Sequence, residues 1–256
     1  MSRLSRFRSL ILLFGMGLLL SACAKEPDAS PVKAPLNPNS ALDSIVLGMG
    51  CFWGAEKRLS ELPGVIDVES GYANGDIAGT YEAVLAHERA LRAGRTQGRN
   101  HAEVIKVTYD PAQVRLDQVL AKFWESHDPT QGDRQGNDIG SNYRSAIYTH
   151  SPAQRDTALK TREVYQSALK AAGKGIITTE IADLKQYFPA EDYHQDYLKK
   201  NPDGYCGLGG TGVAYPGQPS AARHSPAPAL DGKALAQARQ LVVFEAEDCA
   251  FCKQFK

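Results

Sequence analysis

The chain has 256 residues, with 29 basic and 29 acidic side chains and 43% hydrophobic residues. A formal net charge of zero gives no electrostatic reason to expect nucleic acid as a partner, and the absence of any internal period argues against a solenoid. Once its ends are set aside, the length suits one domain with a proper core.

Those ends differ from the middle. Arg3, Arg6 and Arg8 precede an apolar run from Leu10 to Leu20, which is shorter than the roughly 20 residues a helix needs to cross a bilayer. The segment 1–22 therefore reads as a secretory signal. Leu20-Ser21-Ala22-Cys23 follows it and resembles the lipobox of bacterial lipoproteins. That resemblance implies a lipid on Cys23, hence a membrane anchor, and a place in the bacterial cell envelope facing the periplasm. Residues 23–42, punctuated by Pro27, Pro31, Pro35 and Pro38, bury too little apolar surface to order themselves and read as a tether. A second proline-rich stretch, 216–238, reads as a linker. Between them lies a folded domain over 43–215.

Within the domain, Ile45-Val46-Leu47 is a short strand that runs into glycines. Phe52, Ala55, Leu59 and Leu62 then recur at helical spacing until Pro63-Gly64. Val65 to Tyr72 is extended, and 74–100 reads as a long, glycine-dotted polar loop. Ile105, Val107 and Tyr109 alternate along a strand over 103–109 that stops at Asp110-Pro111. Leu116 to Ser126 is helical, 128–142 is a second long loop, and Tyr143 to Thr149 is a strand. Ser151-Pro152 caps a helix that runs to about Ala172. A strand over 176–181 and a short helix over 191–200 complete the pattern. Strands and helices mix without strict alternation. This predicts an α+β fold of two layers, a mainly antiparallel mixed sheet with packed helices, of the ferredoxin-like sandwich type with long loops. Loops as long as 74–100 and 128–142 are usually functional or disordered, and these two bracket Glu103 and Tyr143.

Cys51 sits where the first strand meets the first helix. Free backbone N–H groups and the positive end of the helix dipole favour a thiolate there, and the flanking Gly50 and Gly54 permit close approach. Phe52 and Trp53 offer an apolar wall beside the sulfur. Read without context, a buried cysteine is as readily inert packing, Glu103 a solvated strand residue, Asp138 a turn residue, and Tyr81 and Tyr143 half-buried packing. His101, His127 and His194 carry no metal-site spacing and read as structural.

Gly50-Cys51-Phe52-Trp53-Gly54 resembles the signature of A-type peptide methionine sulfoxide reductases. The likeness extends over the domain through Leu62-Pro63-Gly64-Val65, His101-Ala102-Glu103, Phe123 to Pro129, Gln135 to Asp138, Tyr143 to Tyr148 and Gly204-Tyr205-Cys206-Gly207. The resemblance implies reduction of methionine S-sulfoxide, free or in oxidised proteins. It makes Cys51 the nucleophile and Glu103 the acid, which must then be buried to hold its proton. By the same likeness, Tyr81 and Tyr143 hold the sulfoxide oxygen, Asp138 a polar network, and Phe52 with Trp53 the methyl group. Cys206 becomes the thiol that converts a Cys51 sulfenic acid into a Cys51–Cys206 disulfide. No cofactor or metal is implied beyond thioredoxin or another dithiol as external reductant. Two departures stand out: the basic stretch Leu91 to Gly98 is longer than the family leads one to expect, and Asn100 replaces a usual glycine.

After the linker, Leu241-Val242-Val243-Phe244 leads to Cys249-Ala250-Phe251-Cys252, a strand followed by Cys-x-x-C. Residues 239–256 resemble the opening of a thioredoxin-like domain. A truncated fusion, an electron relay to Cys206 and a remnant are the competing readings, the first preferred. Two other classes stay in view for the whole chain. A Cys–His acyl hydrolase would need a histidine beside Cys51, and a non-catalytic lipoprotein would only recognise methionine-rich surfaces.

Overall fold

A computed structural model describes residues 41–218 of the protein; Cys23, Cys249 and Cys252, with the signal, most of the tether and linker, and the terminal segment, lie outside them. The chain order is β1 (Asp43–Met49), α1 (Phe52–Ser60), β2 (Val65–Ala73), α2 (Tyr81–Arg92), β3 (Ala102–Tyr109), α3 (Leu116–Ser126), β4 (Arg134–Gln135), β5 (Asp138–Ile139), a 3₁₀ turn (Ser141–Tyr143), β6 (Ser145–Thr149), α4 (Pro152–Ala171), β7 (Glu180–Asp183), β8 (Tyr187–Pro189) and α5 (Tyr197–Lys200). The six-stranded sheet has the order β7-β6-β1-β3-β2-β8. Every neighbouring pair is antiparallel except β6 with β7, so the α+β architecture is the one expected.

The period of two along the strands sorts side chains between faces. Ile45, Leu47 and Met49 of β1 and Ile105, Val107 and Tyr109 of β3 point into the main core, against Phe52, Ala55 and Leu59 of α1 and Val119, Leu120 and Phe123 of α3. Val46, Val104, Ala146 and Tyr148 form a smaller cluster on the opposite side. Burying each large aliphatic chain contributes about 1.5–3 kcal/mol. The α4 start follows its sequence signal: Ser151 Oγ accepts from the Gln154 N–H at 3.3 Å, with Pro152 in the first turn.

Five expectations need correction. The stretch 74–100 contains α2, where Thr80 is the N-cap and Val84 and Glu88 turn inward. Its polar outer face and flanking glycines hide the helical period. The second loop folds into a hairpin of two-residue strands, and Tyr143 belongs to a 3₁₀ turn rather than to β6. The strand expected at 176–181 starts only at Glu180 because Ile176 faces solvent, while the Thr178 N–H bonds the Pro129 carbonyl. Asp196, at φ +53, interrupts the helix expected over 191–200, and β8 precedes it.

On the second sheet face Arg144 is buried and donates to Glu180 at 3.1 Å, Tyr148 at 3.0 Å, the Asn100 carbonyl at 3.0 Å and the Ser141 carbonyl at 2.8 Å. One guanidinium thus ties the Ser141–Tyr143 turn to the approach of β3 and to β7. At the other critical corner, between β1 and α1, Gly50 has φ +93, and a Cβ there would lie 2.5 Å from the Gln135 Cβ. Both backbone conformation and space require glycine. Gly50→Ala is expected to lower unfolding stability by roughly 1–3 kcal/mol in urea titrations; unchanged stability would show that the corner relaxes freely.

Candidate active site

Cys51 is the N-cap residue of α1. It is 8% exposed, and burial pushes its thiol well above the ordinary range, seconded by the charge of Glu103. The backbone amides of Trp53 and Gly54 act the other way but do not prevail. The expected stabilisation of a thiolate at the helix start is therefore outweighed, and burial favours the protonated sulfur.

Glu103 lies on β3, at 2% exposure. Burial raises its carboxyl from 4.5 to about 8, although the Asn142 amide, donating at 3.2 Å, and the Phe52 backbone N–H both favour the charged form. The same neighbourhood gathers the other groups singled out in the sequence. Tyr143 is held far above the ordinary phenol range, first by the charge of Glu103 and then by burial, with Cys51, Asp138 and Tyr81 contributing. Asp138, on the hairpin, is raised by burial and steadied by a hydrogen bond from Tyr205.

Phe52 and Trp53 extend from the first turn of α1 into an aromatic cluster. Trp53 stacks on Tyr197 with centroids 3.7 Å apart and planes at 14°, and its indole N–H donates to His194 Nδ1 at 3.1 Å. Phe52 and Tyr81 lie against the same imidazole at 5.0 and 4.7 Å. His194 must be neutral to accept from the indole, and burial does lower its pKa to about 4. Glu191 joins the cluster from behind, accepting from the Tyr72 hydroxyl and the Tyr81 backbone N–H, both at 2.9 Å. Among the described residues no group of three or more His, Cys, Asp or Glu is arranged to hold a metal ion.

The family model for peptide methionine sulfoxide reductase matches residues 43–212. The chain belongs to the peptide methionine sulfoxide reductase family. It is 50% identical over 190 residues to peptide methionine sulfoxide reductase MsrA 1 of Synechocystis sp., covering 74% of this chain and 80% of that protein. It is 51% identical over 187 residues to MsrA of Rhodospirillum centenum, covering 73% and 80%. Among solved structures, methionine sulfoxide reductase A of Corynebacterium diphtheriae is similar with a TM-score of 0.57 and 46% identity, over 70% of this chain and 84% of that one. Reduced Mxr1 of Saccharomyces cerevisiae has a TM-score of 0.55 and 34% identity, over 68% and 92%.

For a sulfoxide reductase the site contains more than the sequence offered. Asn142, His194, Tyr197 and Tyr205 were not assigned a role from the sequence, and only their neighbours Tyr143, Trp53 and Asp138 make them visible. Their signals were local at best: Tyr143 and Cys206 are chain neighbours of Asn142 and Tyr205. The other histidines are engaged elsewhere, His101 with the Gly75 N–H and the Ile77 carbonyl, His127 with Phe123 and Ser145. Asn100, a departure from the family pattern, is buried and donates to the Val84 carbonyl and to Glu88, each at 3.1 Å. Glu88 in turn accepts from Ser141 at 2.6 Å, so α2 braces the turn that carries Asn142 and Tyr143.

The raised carboxyl has a thermodynamic signature. Between 4.5 and about 8 the folded state holds a proton on Glu103 that the unfolded chain releases, so its contribution to stability is full below 4.5 and declines as pH rises through about 8. Glu103→Gln is expected to remove this decline. Unfolding free energies of both proteins at pH 5 and pH 8.5 check it, and parallel pH dependences would contradict the burial.

Proposed function

We propose that the enzyme reduces methionine S-sulfoxide, free or in oxidised proteins, with Cys51 as nucleophile, Glu103 as acid and Cys206 as resolving thiol. The observation that carries this reading is a carboxyl group kept protonated at neutral pH by burial, electrostatically coupled to a buried cysteine. Sulfoxide sulfur becomes electrophilic when its oxygen is protonated. Glu103 supplies that proton, while Tyr81 and Tyr143 hold the oxygen and the Phe52–Trp53 wall receives the methyl group. As the Cys51 sulfur attacks, the carboxylate left on Glu103 takes the thiol proton. The oxygen passes to Cys51 as a sulfenic acid, and methionine leaves as the thioether.

Cys206 then attacks the sulfenic sulfur; water departs and a Cys51–Cys206 disulfide remains. Cys206 is exposed and Cys51 buried, which favours entry of thioredoxin or another dithiol at Cys206. An acyl hydrolase is disfavoured because the described histidines of the domain bond other partners.

Cys51→Ser is expected to abolish turnover, and Glu103→Gln to reduce it about 10²–10⁴-fold. Wild-type activity should fall as pH rises through about 8, since the proton that Glu103 must donate is lost there. Turnover of each sulfoxide epimer with thioredoxin checks these outcomes; reduction of only the R epimer, or full activity of Glu103→Gln, would refute the assignment.

The lipobox-like Leu20-Ser21-Ala22-Cys23 supports a lipid-anchored protein in the cell envelope, facing the periplasm. Labelled palmitate should enter the wild-type chain and not Cys23→Ala. The strand followed by Cys249-Ala250-Phe251-Cys252 supports a truncated thioredoxin-like fusion rather than a relay of electrons to Cys206. A chain ending at Tyr215 should then keep full thioredoxin-dependent turnover; loss of turnover with thioredoxin but not with dithiothreitol would establish the relay instead.

A further inference from the structure

The segment after Cys206 is seated on α1 in a way that simple packing of a mobile arm does not require. Leu208 is buried, in contrast to the exposed glycines that follow it. Its carbonyl accepts from Arg58 Nη2 at 2.7 Å. Its side chain covers Gly54 so closely that a Cβ there would lie 2.9 Å from Leu208 Cδ1 and 3.0 Å from the Cys206 sulfur. Gly54 is therefore the floor on which the second thiol rests, and its backbone N–H acts on the Cys51 sulfur. The preceding residue is tied down as well, since Tyr205 bonds Asp138. Further along, the Tyr165 hydroxyl donates to the Val213 carbonyl at 3.0 Å and the Tyr215 N–H donates to Glu125 at 2.6 Å.

We propose that Arg58 and Leu208 act as a clasp that seats Cys206 over Gly54 before the sulfenic acid forms, making disulfide closure a short local step. This rests on the reading of Cys206 as the resolving thiol. In that step the Cys206 sulfur attacks the Cys51 sulfur and the S–O bond breaks. The departing hydroxide takes the Cys206 proton and leaves as water. Cys206 is oxidised as the Cys51 sulfur is reduced, and no outside electron is needed. Arg58 and Leu208 touch neither substrate nor reacting atoms; they are positioning residues. Their contribution is orientation, and misplacing a reacting group by about 1 Å costs up to about 10²-fold.

The test is a single turnover of the full chain with methionine S-sulfoxide and no reductant. Samples are quenched over time, with methionine, disulfide and dimedone-trapped sulfenic acid measured separately. Arg58→Ala and Leu208→Ala are expected to release the same methionine burst as wild type, yet close the disulfide at least about tenfold more slowly, with trapped sulfenic acid rising in between. Arg58→Lys should recover much of the rate because an ammonium also donates to the carbonyl. A merely structural role would reduce burst amplitude and melting temperature together, without separating the two steps. Disulfide closure at the wild-type rate in both alanine variants would overturn the clasp. Cys206→Ser provides the separate control: if it traps no sulfenic acid after a normal burst, the resolving role itself fails.

Discussion

Dehydration of one carboxyl group governs this molecule. Glu103 enters on a central strand, flanked by β1 and β2 in the sheet and covered by the first turn of α1. With solvent removed, its neutral form is favoured by burial alone, and the donors that do reach it, Asn142 and the Phe52 amide, only moderate the effect. Everything else in the site depends on that environment. The Gly50 corner delivers Cys51 and the Phe52 amide to it, the Arg144 and Glu88 networks hold the turn that brings Asn142 and Tyr143, and the aromatic cluster around His194 packs Phe52, Trp53 and Tyr81 together.

The cost of such a site is visible in its supports. Arg144 is a buried cation, stable only because its partner Glu180, two carbonyls and the Tyr148 hydroxyl satisfy it. Glu88 is similarly placed behind the turn and bonded on both sides by Asn100 and Ser141. These polar groups hold a short irregular segment, Gly140 to Arg144, from elements far apart in sequence.

That separation explains what could be read from the residues and what could not. The alternating strand β3, the short apolar run of β1 and helices with clear caps, such as α4, were legible because their signals are local. So was Cys51, placed by glycines at a strand-to-helix corner, and burial of Glu103 followed once an acid was required. The helix α2 was not legible, since glycines flank it and its inward face carries Glu88 beside Val84. The two-residue strands of the hairpin are too short for any period to register. The imidazole that orients Trp53 lies 141 positions along the chain, and nothing local to either residue announces the pair. The basic stretch Leu91 to Gly98 reads as a connection longer than the family pattern; its first two residues belong to the last turn of α2, and Asn100 is fastened just beyond it.

The raised pKa of Cys51 has a consequence for survival. Peroxides oxidise thiolates far faster than thiols, and susceptibility follows thiolate character and exposure. A sulfur kept protonated and covered is a poor target for the very oxidants that create methionine sulfoxide. A reductase whose sulfur is held in this way is spared part of the damage it mends.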